Sequence, residues 1–327
     1  MLEILKRKAR SFVYYRTPTG EALTKVYDFF HHFKYSFKES RISDKDHLRY
    51  YLTKHYHIIE KGLALPEPRL GFGQPKVRDV IEKAKAYEVE YGDDELTSSI
   101  RKTLLAYQEF NKKNNFDLPS DLKLLLNSFI GCAAPTGIGG LKQVCKETAS
   151  PINLAEFSNF AKSRVSVRDF APEPVSEALI YASVEVAQSA PSVCNRQGWK
   201  VYCHTDKLKI NEILSYQNGN SGFTDVIDKL IIVAADGKAF TKYESNQVFI
   251  DGGLFSMNLM LAIHAAGLGA CPLNTCYPSF LEKKVKMVAS VAASDRLIMM
   301  IAVGNIKDEY SVACSARNPV DDILKFF

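Results

Sequence analysis

Two short, almost unbroken apolar runs constrain this chain more than any other feature: "KLIIVAAD" at 229–236 and "RLIMMIAVG" at 296–304. Runs of that length and content read as central strands, buried on both faces. Between them lies a long apolar pattern, 244–268, too long and too apolar for a surface helix. Gly252, Gly253 and Ser256 give it a slim face that lets a neighbour approach closely, so it is either the core of a domain or a subunit interface. "WKVYCHTD" alternates like a further strand, and "PVSEALIYASVEVAQSA" reads as a helix with Ser176 as its N-cap. These pieces predict an α+β domain around a mixed sheet flanked by helices, spanning residues 151–327.

Residues 1–150 carry a different pattern. "SDKDHLRYYLTKHYHIIEKGL" opens on a Ser-Asp capping signal and repeats its apolar residues at three-to-four spacing. "VRDVIEKAKAYEVEYG" and "DDELTSSIRKTLLAYQEFNKK" are two more amphipathic helices, separated from the first by the Pro/Gly-rich "LALPEPRLGFGQP". "CAAPTGIGGLKQV" reads as a flexible joint into the second part. The expectation is a mainly helical N-terminal extension that packs on the second domain and narrows access to its cleft.

Charge separates the halves too. The net charge is +5; residues 1–155 hold 25 Lys+Arg against 19 Asp+Glu, and the remainder 17 against 18. The basic excess starts at "LKRKAR", Leu5–Arg10, which admits contact with an anionic membrane surface, although a solvated basic helix face accounts for it more simply. No nucleic-acid-binding motif accompanies the charge, so nucleic acid is not expected as a partner.

Seven cysteines, an odd number without CxxC pairing, read as free thiols of a reducing compartment. No apolar leader opens the sequence, and the expected location is cytoplasmic. Gly252–Leu273 is apolar enough to raise a membrane span, but Asn258 and His264 inside it fit a buried helix better. His55, His57, Glu60 and Glu67 do not form a metal site, because His55 and His57 point to different helix faces.

Chemistry concentrates in the second half. In "SRVSVRDF" Arg164, Ser166 and Arg168 alternate, so an extended segment projects all three to one side, where two guanidinium forks and a hydroxyl suit a phosphate. A solvated strand edge explains that alternation equally well. "SAPSVCNRQGWKV" crowds hydrogen-bonding side chains and the single Trp into one helix-to-strand turn. Near the end, "CSARNPVDDIL" repeats the Ser/Arg alternation at Ser315 and Arg317.

Taken in order, "SRVSVRDF", "SAPSVCNRQGWKV", "AAGLGACPLNT" and "SARNP" resemble the FMN-dependent nitroreductase family over about residues 153–327. The resemblance implies an FMN whose phosphate is clasped by Arg164, Ser166 and Arg168 and by the closing pair Ser315 and Arg317. Pro191, Ser192, Asn195 and Gln197 then face the isoalloxazine from the partner subunit of a homodimer. Pro272, Leu273 and Asn274 lie near flavin N5, and Asn220 contacts the pyrimidine edge. The chain departs from the family pattern with Gly198 in place of Pro before Trp199, Val193 in place of Ser, Asn274 in place of Glu, and Ser315 in place of Lys.

The implied activity is an oxidoreductase that takes hydride from NAD(P)H and passes it to a small organic acceptor in a ping-pong cycle. No catalytic acid or base is needed, since the flavin carries the hydride chemistry. "GLGACP" breaks the GxGxxG pattern, so no permanent Rossmann-type nicotinamide site is expected. "HYHIIEKGLALPEPRLGFG" resembles the helical extension of nitroreductase-like proteins encoded among polysaccharide-biosynthesis genes, which points toward a carbohydrate or nucleotide-sugar substrate. Two other readings remain open at this point. One is a flavin-dependent dehydrogenase that returns electrons to oxygen. The other is a non-catalytic flavin-domain scaffold docked to a biosynthetic complex.

Overall fold

The computed structural model describes residues 17–39, 42, 44–131 and 136–327. The basic stretch Leu5–Arg10, Ser43 and the start of the 132–144 joint lie outside them. Five strands form one sheet: β1 (Phe170–Ala171), β2 (Trp199–His204), β3 (Lys229–Asp236), β4 (Leu268–Leu273) and β5 (Asp295–Ile306). β5 is the spine. It pairs with β3 along one edge and β4 along the other, β1 extends the β3 side, and β2 lies outside β3. These ladders are antiparallel, and parallel pairing enters through isolated bridges, Ser166 with Ala270 and Phe37 with Thr241.

Both faces of β3 are covered, which explains its unbroken apolar run. Leu230, Ile232 and Ala234 point into a core shared with Ile210, Leu214 and Val285. Ile231 and Val233 point the other way, against Phe255, Leu259 and Ile263. Burying each such Leu, Ile or Phe side chain stabilises the fold by roughly 1.5–3 kcal/mol. Ten α-helices occur among the described residues. Five precede the joint: α1 (Pro18–Tyr35), α2 (Lys45–Leu63), α3 (Gln74–Tyr91), α4 (Glu95–Lys113) and α5 (Ser120–Ile130). Five follow it: α6 (Leu154–Ser163), α7 (Glu177–Ala187), α8 (Lys207–Leu214), α9 (Gln247–Ala265) and α10 (Ser279–Val288).

The long apolar pattern thus divides into α9 and the edge strand β4. α9 is also the one described helix long and apolar enough to cross a membrane, and half of its apolar window is buried against the protein. Gly252 and Gly253 have different roles. A Cβ on Gly252 would meet Ile298 Cγ1 at 2.5 Å, whereas nothing lies within 4 Å of a Cβ on Gly253. Gly252 therefore serves the packing of α9 on its own sheet, and Gly253 faces outward with Ile250, Leu254 and Met257, all exposed.

α2 to α5 enclose a core of their own around Tyr87, Ile100, Tyr107 and Phe129. Asp44 caps α2 by accepting the His47 N–H at 3.0 Å, and Asp94 with Thr97 forms a capping box on α4. The described part of the joint is tied down. Ser98 Oγ accepts the N–H groups of Thr136 and Gly137 at 2.9 and 2.8 Å, and Glu60 Oε1 accepts that of Gly140 at 3.0 Å. His57 Nδ1 pairs with the other Glu60 oxygen at 3.0 Å.

The seam between front helices and sheet is largely polar. His31 Nε2 meets the Ala293 carbonyl at 3.0 Å, and the Tyr50 hydroxyl donates to Asp236 at 3.3 Å. Lys238 reaches Asp46 at 2.9 Å, and Arg296 reaches Asp28 at 2.7 Å.

Candidate functional site

The turn from α7 into β2 is held in a costly backbone conformation. Cys194, Asn195 and Gln197 all have left-handed φ, at 50°, 56° and 52°. Non-glycine residues adopt that region rarely, and a cluster persists only when its surroundings impose it. The imposing groups are visible. Asp251 of α9 accepts the Val193 N–H at 3.1 Å, and Ser192 Oγ accepts the Gln197 N–H at 3.0 Å. Arg196 turns inward, its side chain fully buried, donating to the Val193 carbonyl at 3.1 Å and to Glu244 at 2.7 Å. Tyr56 of α2 hydrogen-bonds the Asn195 side chain.

Two carboxylates of this brace titrate in opposite senses. Burial pushes Glu244 upward, but its bonds to Arg196 and the Thr241 N–H prevail and hold it below the usual range. For Asp251 burial prevails over its bonds to Gln247 and Val193, and its pKa is raised. Gly198 is forced by close approach, because a Cβ there would lie 2.7 Å from the Ala239 Cβ. The departure from Pro at this position thus has a steric cause in the neighbouring turn at Gly237–Ala239, whose next residue, Phe240, accepts the Phe37 N–H of the front half at 2.9 Å.

The Arg/Ser segment lies at the opposite edge of the sheet. Ser166 bridges Ala270, and the Val167 N–H donates to the Ala270 carbonyl at 3.0 Å. That pairing sets the segment alongside β4, which leads into Pro272, Leu273 and Asn274. Arg164 is half-buried, and its Nη1 is wholly buried without a hydrogen-bond partner. Burial pushes the Cys271 thiol upward, while Arg168 and Arg164 both pull it down, so the two guanidinium groups act on one spot. Asn220 is buried and donates to Thr224 at 2.7 Å, and neighbouring Gln217 donates to the Asn274 carbonyl at 3.1 Å. The Asn220 segment therefore meets the loop after β4 at Asn274, whereas Arg164 lies beside the start of β4, in a small cavity with His264 and Leu268 that shares no lining residue with the cavity at Pro272–Asn274.

Two groups stay apart from them. The cavity at Pro272–Asn274, about 760 Å³, is lined by α1 residues, Phe249 and Arg296, and shares no lining residue with the cavity that contains Gln197. Ser315 and Arg317 belong to a C-terminal segment, residues 308–327, that is exposed throughout. Arg317 donates only to the carbonyl of Ser315 two residues away.

Reading the sequence assigned no role to Arg196, Asp251 or Tyr56. The signal for Asp251 was present, as the one acidic residue inside the apolar α9. Neither α1 nor its place on the 272–278 loop was foreseen. There Glu282 and Arg296 line the cavity wall 3.5 Å apart. Burial raises the Glu282 pKa against the pull of Arg296 and Lys286.

The Nitroreductase family model matches residues 161–220, the stretch that contains both the Arg/Ser segment and the strained turn. Residues 161–220 are nitroreductase-like in sequence. Similar solved structures include a nitroreductase-like protein from Streptococcus mutans, 21% identical, covering 54% of this chain and 100% of that one at a TM-score of 0.46. An FMN-dependent nitroreductase from Clostridium difficile R20291 is 20% identical over 51% of this chain and 96% of its own, at 0.43. A nitroreductase family protein from Streptococcus pneumoniae TIGR4 is 20% identical over 52% and 100%, at 0.45. The α+β class with a helical part ahead of the sheet is the one expected from the strand and helix patterns.

Proposed function

We propose that the protein is a homodimeric, FMN-dependent oxidoreductase that takes hydride from NADH or NADPH and passes it to a small organic acceptor in a ping-pong cycle. One observation carries this reading: Arg164 keeps a buried Nη1 without a partner, on a segment paired to the strand that leads into Pro272–Asn274. An unmatched buried guanidinium donor is costly unless an anion completes it, so the residues fit a phosphate. Arg164, Ser166 and Arg168 would hold the FMN phosphate, Asn220 and Pro272–Asn274 the ring edge. Pro191, Ser192, Asn195 and Gln197 would cover the ring from the partner. Bound there, FMN supplies the carrier for the hydride. The protein's part is to orient the ring, exclude water and keep the strained turn rigid.

The dimer reading is supported by what one chain leaves uncovered. Ile250, Leu254 and Met257 form an exposed apolar stripe on α9, and the 308–327 segment exposes Ile323, Leu324 and Phe326. Patches of this kind mark interaction surfaces. A partner subunit would bury both and would bring Ser315 and Arg317 to a phosphate. Within the same reading, residues 1–150 form an extension on a 151–327 flavin domain, with α1 narrowing the cleft at the 272–278 loop.

An absorbance spectrum before and after NAD(P)H tests the activity. A yellow protein that bleaches supports the proposal. A yellow protein inert to both donors removes the reductase, and a colourless folded dimer removes the flavin.

A further inference from the structure

A polar cavity of about 550 Å³ lies between α2, the first turns of α4 and the start of β2. Lys45, Arg49, Arg196 and Lys200 line it, against the carboxylates Asp46 and Glu95. Asp46 is already paired with Lys238 at 2.9 Å, and Arg196 with Glu244 at 2.7 Å. Arg49 reaches Asp94 only at 3.9 Å, with its side chain 54% exposed. Lys45 lies over the rings of Tyr87 and Tyr91, with no carboxylate paired to it among the described residues. Lys45 and Lys200, which have no carboxylate partner among the described residues, therefore outnumber Glu95. A second observation is independent of that balance. Arg196 is buried behind the cavity wall, its guanidinium against the rings of Phe37 and Phe240, and its Nη1 has no hydrogen-bond partner.

We infer that this cavity binds a phosphate or diphosphate group. Its volume far exceeds a carboxylate, and its cations are spread over separate elements, which suits a multiply charged anion with several oxygens. Gln197 and Trp199 form part of its wall, so it opens beside the turn assigned above to the flavin ring. The anion is then the tail of a reactant whose other end works at the flavin, either the nicotinamide donor or a phosphorylated acceptor. That last step rests on the proposed function, but the anion binding does not.

Trp199 is the only tryptophan in the chain, so its fluorescence reports on this wall. Pyrophosphate is titrated into the full chain at constant ionic strength, with calorimetry reading the same titration. The expected result is saturable binding, weakened at least tenfold in the Arg49→Gln/Lys200→Gln double variant and unchanged in Arg164→Gln. Both substituted side chains are exposed, so the fold is not at risk. No saturable binding by either readout overturns the inference, as does a double variant that binds like the wild type. If pyrophosphate binds as expected but the protein holds no flavin, the cavity stands and the flavin reading falls. If the flavin-loaded protein ignores pyrophosphate, the cavity alone falls. In the flavin-loaded double variant, a KM for NADH and NADPH raised at least fivefold with kcat retained assigns the phosphate to the donor. An unchanged donor KM assigns it to the acceptor.

Discussion

The turn at Pro191–Gly198 and the segment at Ser315–Arg317 are built from similar residues and end up in opposite conditions. Each contains an arginine and at least one non-glycine residue with left-handed φ: Cys194, Asn195 and Gln197 in the turn, and Ser315 at 50° in the tail. The turn is held by three neighbours from its own chain, Asp251, Glu244 and Tyr56, whereas the one bond of the tail segment among the described residues runs from Arg317 to its own backbone. Strain of roughly 1–3 kcal/mol per residue is retained when surroundings over-determine it. One chain therefore finishes the turn by itself, and the dimer reading assigns the finishing of the tail to a second chain.

The largest effect should come from the brace. Arg196→Ala removes a buried cation, leaves Glu244 without its ion-pair partner and takes the side-chain donor from the Val193 carbonyl, which keeps the backbone N–H of residue 196. Breaking one side of such a pair costs about 3–5 kcal/mol, so urea denaturation should show a large loss of stability. Arg317→Ala should leave the urea midpoint unchanged. Equal losses in both variants would erase the distinction between the two segments.

Arg164 tests the same contrast through the cofactor. A charge-assisted bond contributes roughly 1.5–3 kcal/mol, so Arg164→Ala should weaken FMN binding about ten- to a hundredfold. Arg317→Ala should weaken it less, and only where the protein is dimeric. Fluorescence titration of FMN at protein concentrations above and below dimer dissociation separates these cases. Wild-type FMN affinity in Arg164→Ala would remove this arginine from the phosphate site.

How much of this was legible depended on whether the cause sat near its effect in the chain. β3 and β5 were legible because both faces are buried, and the run of apolar residues records that directly. The Arg/Ser segment could be proposed as a phosphate candidate because its side chains and their spacing lie within eight residues. The brace was not, because Asp251, Glu244 and Tyr56 come from elements distant in sequence. α1 hid for another reason: His31 is buried while Phe29, Phe30 and Phe33 are exposed, so its apolar pattern does not mark its packed face. In α10 the buried Glu282 and Lys286 break the periodicity, and Lys286 is accommodated by the carbonyls of Ala293 and Asp295 at 2.9 and 2.5 Å. The Gly198 departure was readable as an anomaly, but its cause, Ala239, is a feature of the fold.

The two glycines of α9 sharpen the contrast between surfaces that one chain completes and those it leaves open. Gly252→Ala places a methyl against Ile298 and should cost roughly 1–3 kcal/mol by overpacking. Gly253→Leu meets nothing in its own chain and should leave protomer stability within about 1 kcal/mol, while shifting sedimentation toward monomer. A Gly253→Leu protein that remains dimeric and flavin-loaded would place the interface elsewhere.

The smallest effect concerns the seam between α1 and the sheet. Burial drives the His31 pKa down to about 3, the charges of Arg296 and Lys286 add to this, and the Ala293 carbonyl opposes it. An unfolded histidine titrates near 6.5. Between those values the unfolded chain binds a proton that the folded chain refuses. His31 therefore supports the fold fully above about pH 6.5, and its contribution is lost as pH falls toward 3. His55 is also depressed, to about 4, first by burial, so it adds a slope of the same sign. The part belonging to His31 has to be isolated by substitution. His31→Gln keeps a donor for the Ala293 carbonyl but cannot be protonated. Unfolding free energies from urea titrations at pH 7 and pH 5 should fall in the wild type, and should fall by roughly 2 kcal/mol less in His31→Gln. The carboxylates that burial raises, Glu282 among them, are common to both proteins, so the difference between the two slopes reports the imidazole. Parallel pH slopes in the two proteins would mean that α1 undocks, or that His31 reaches water, without charge on the ring.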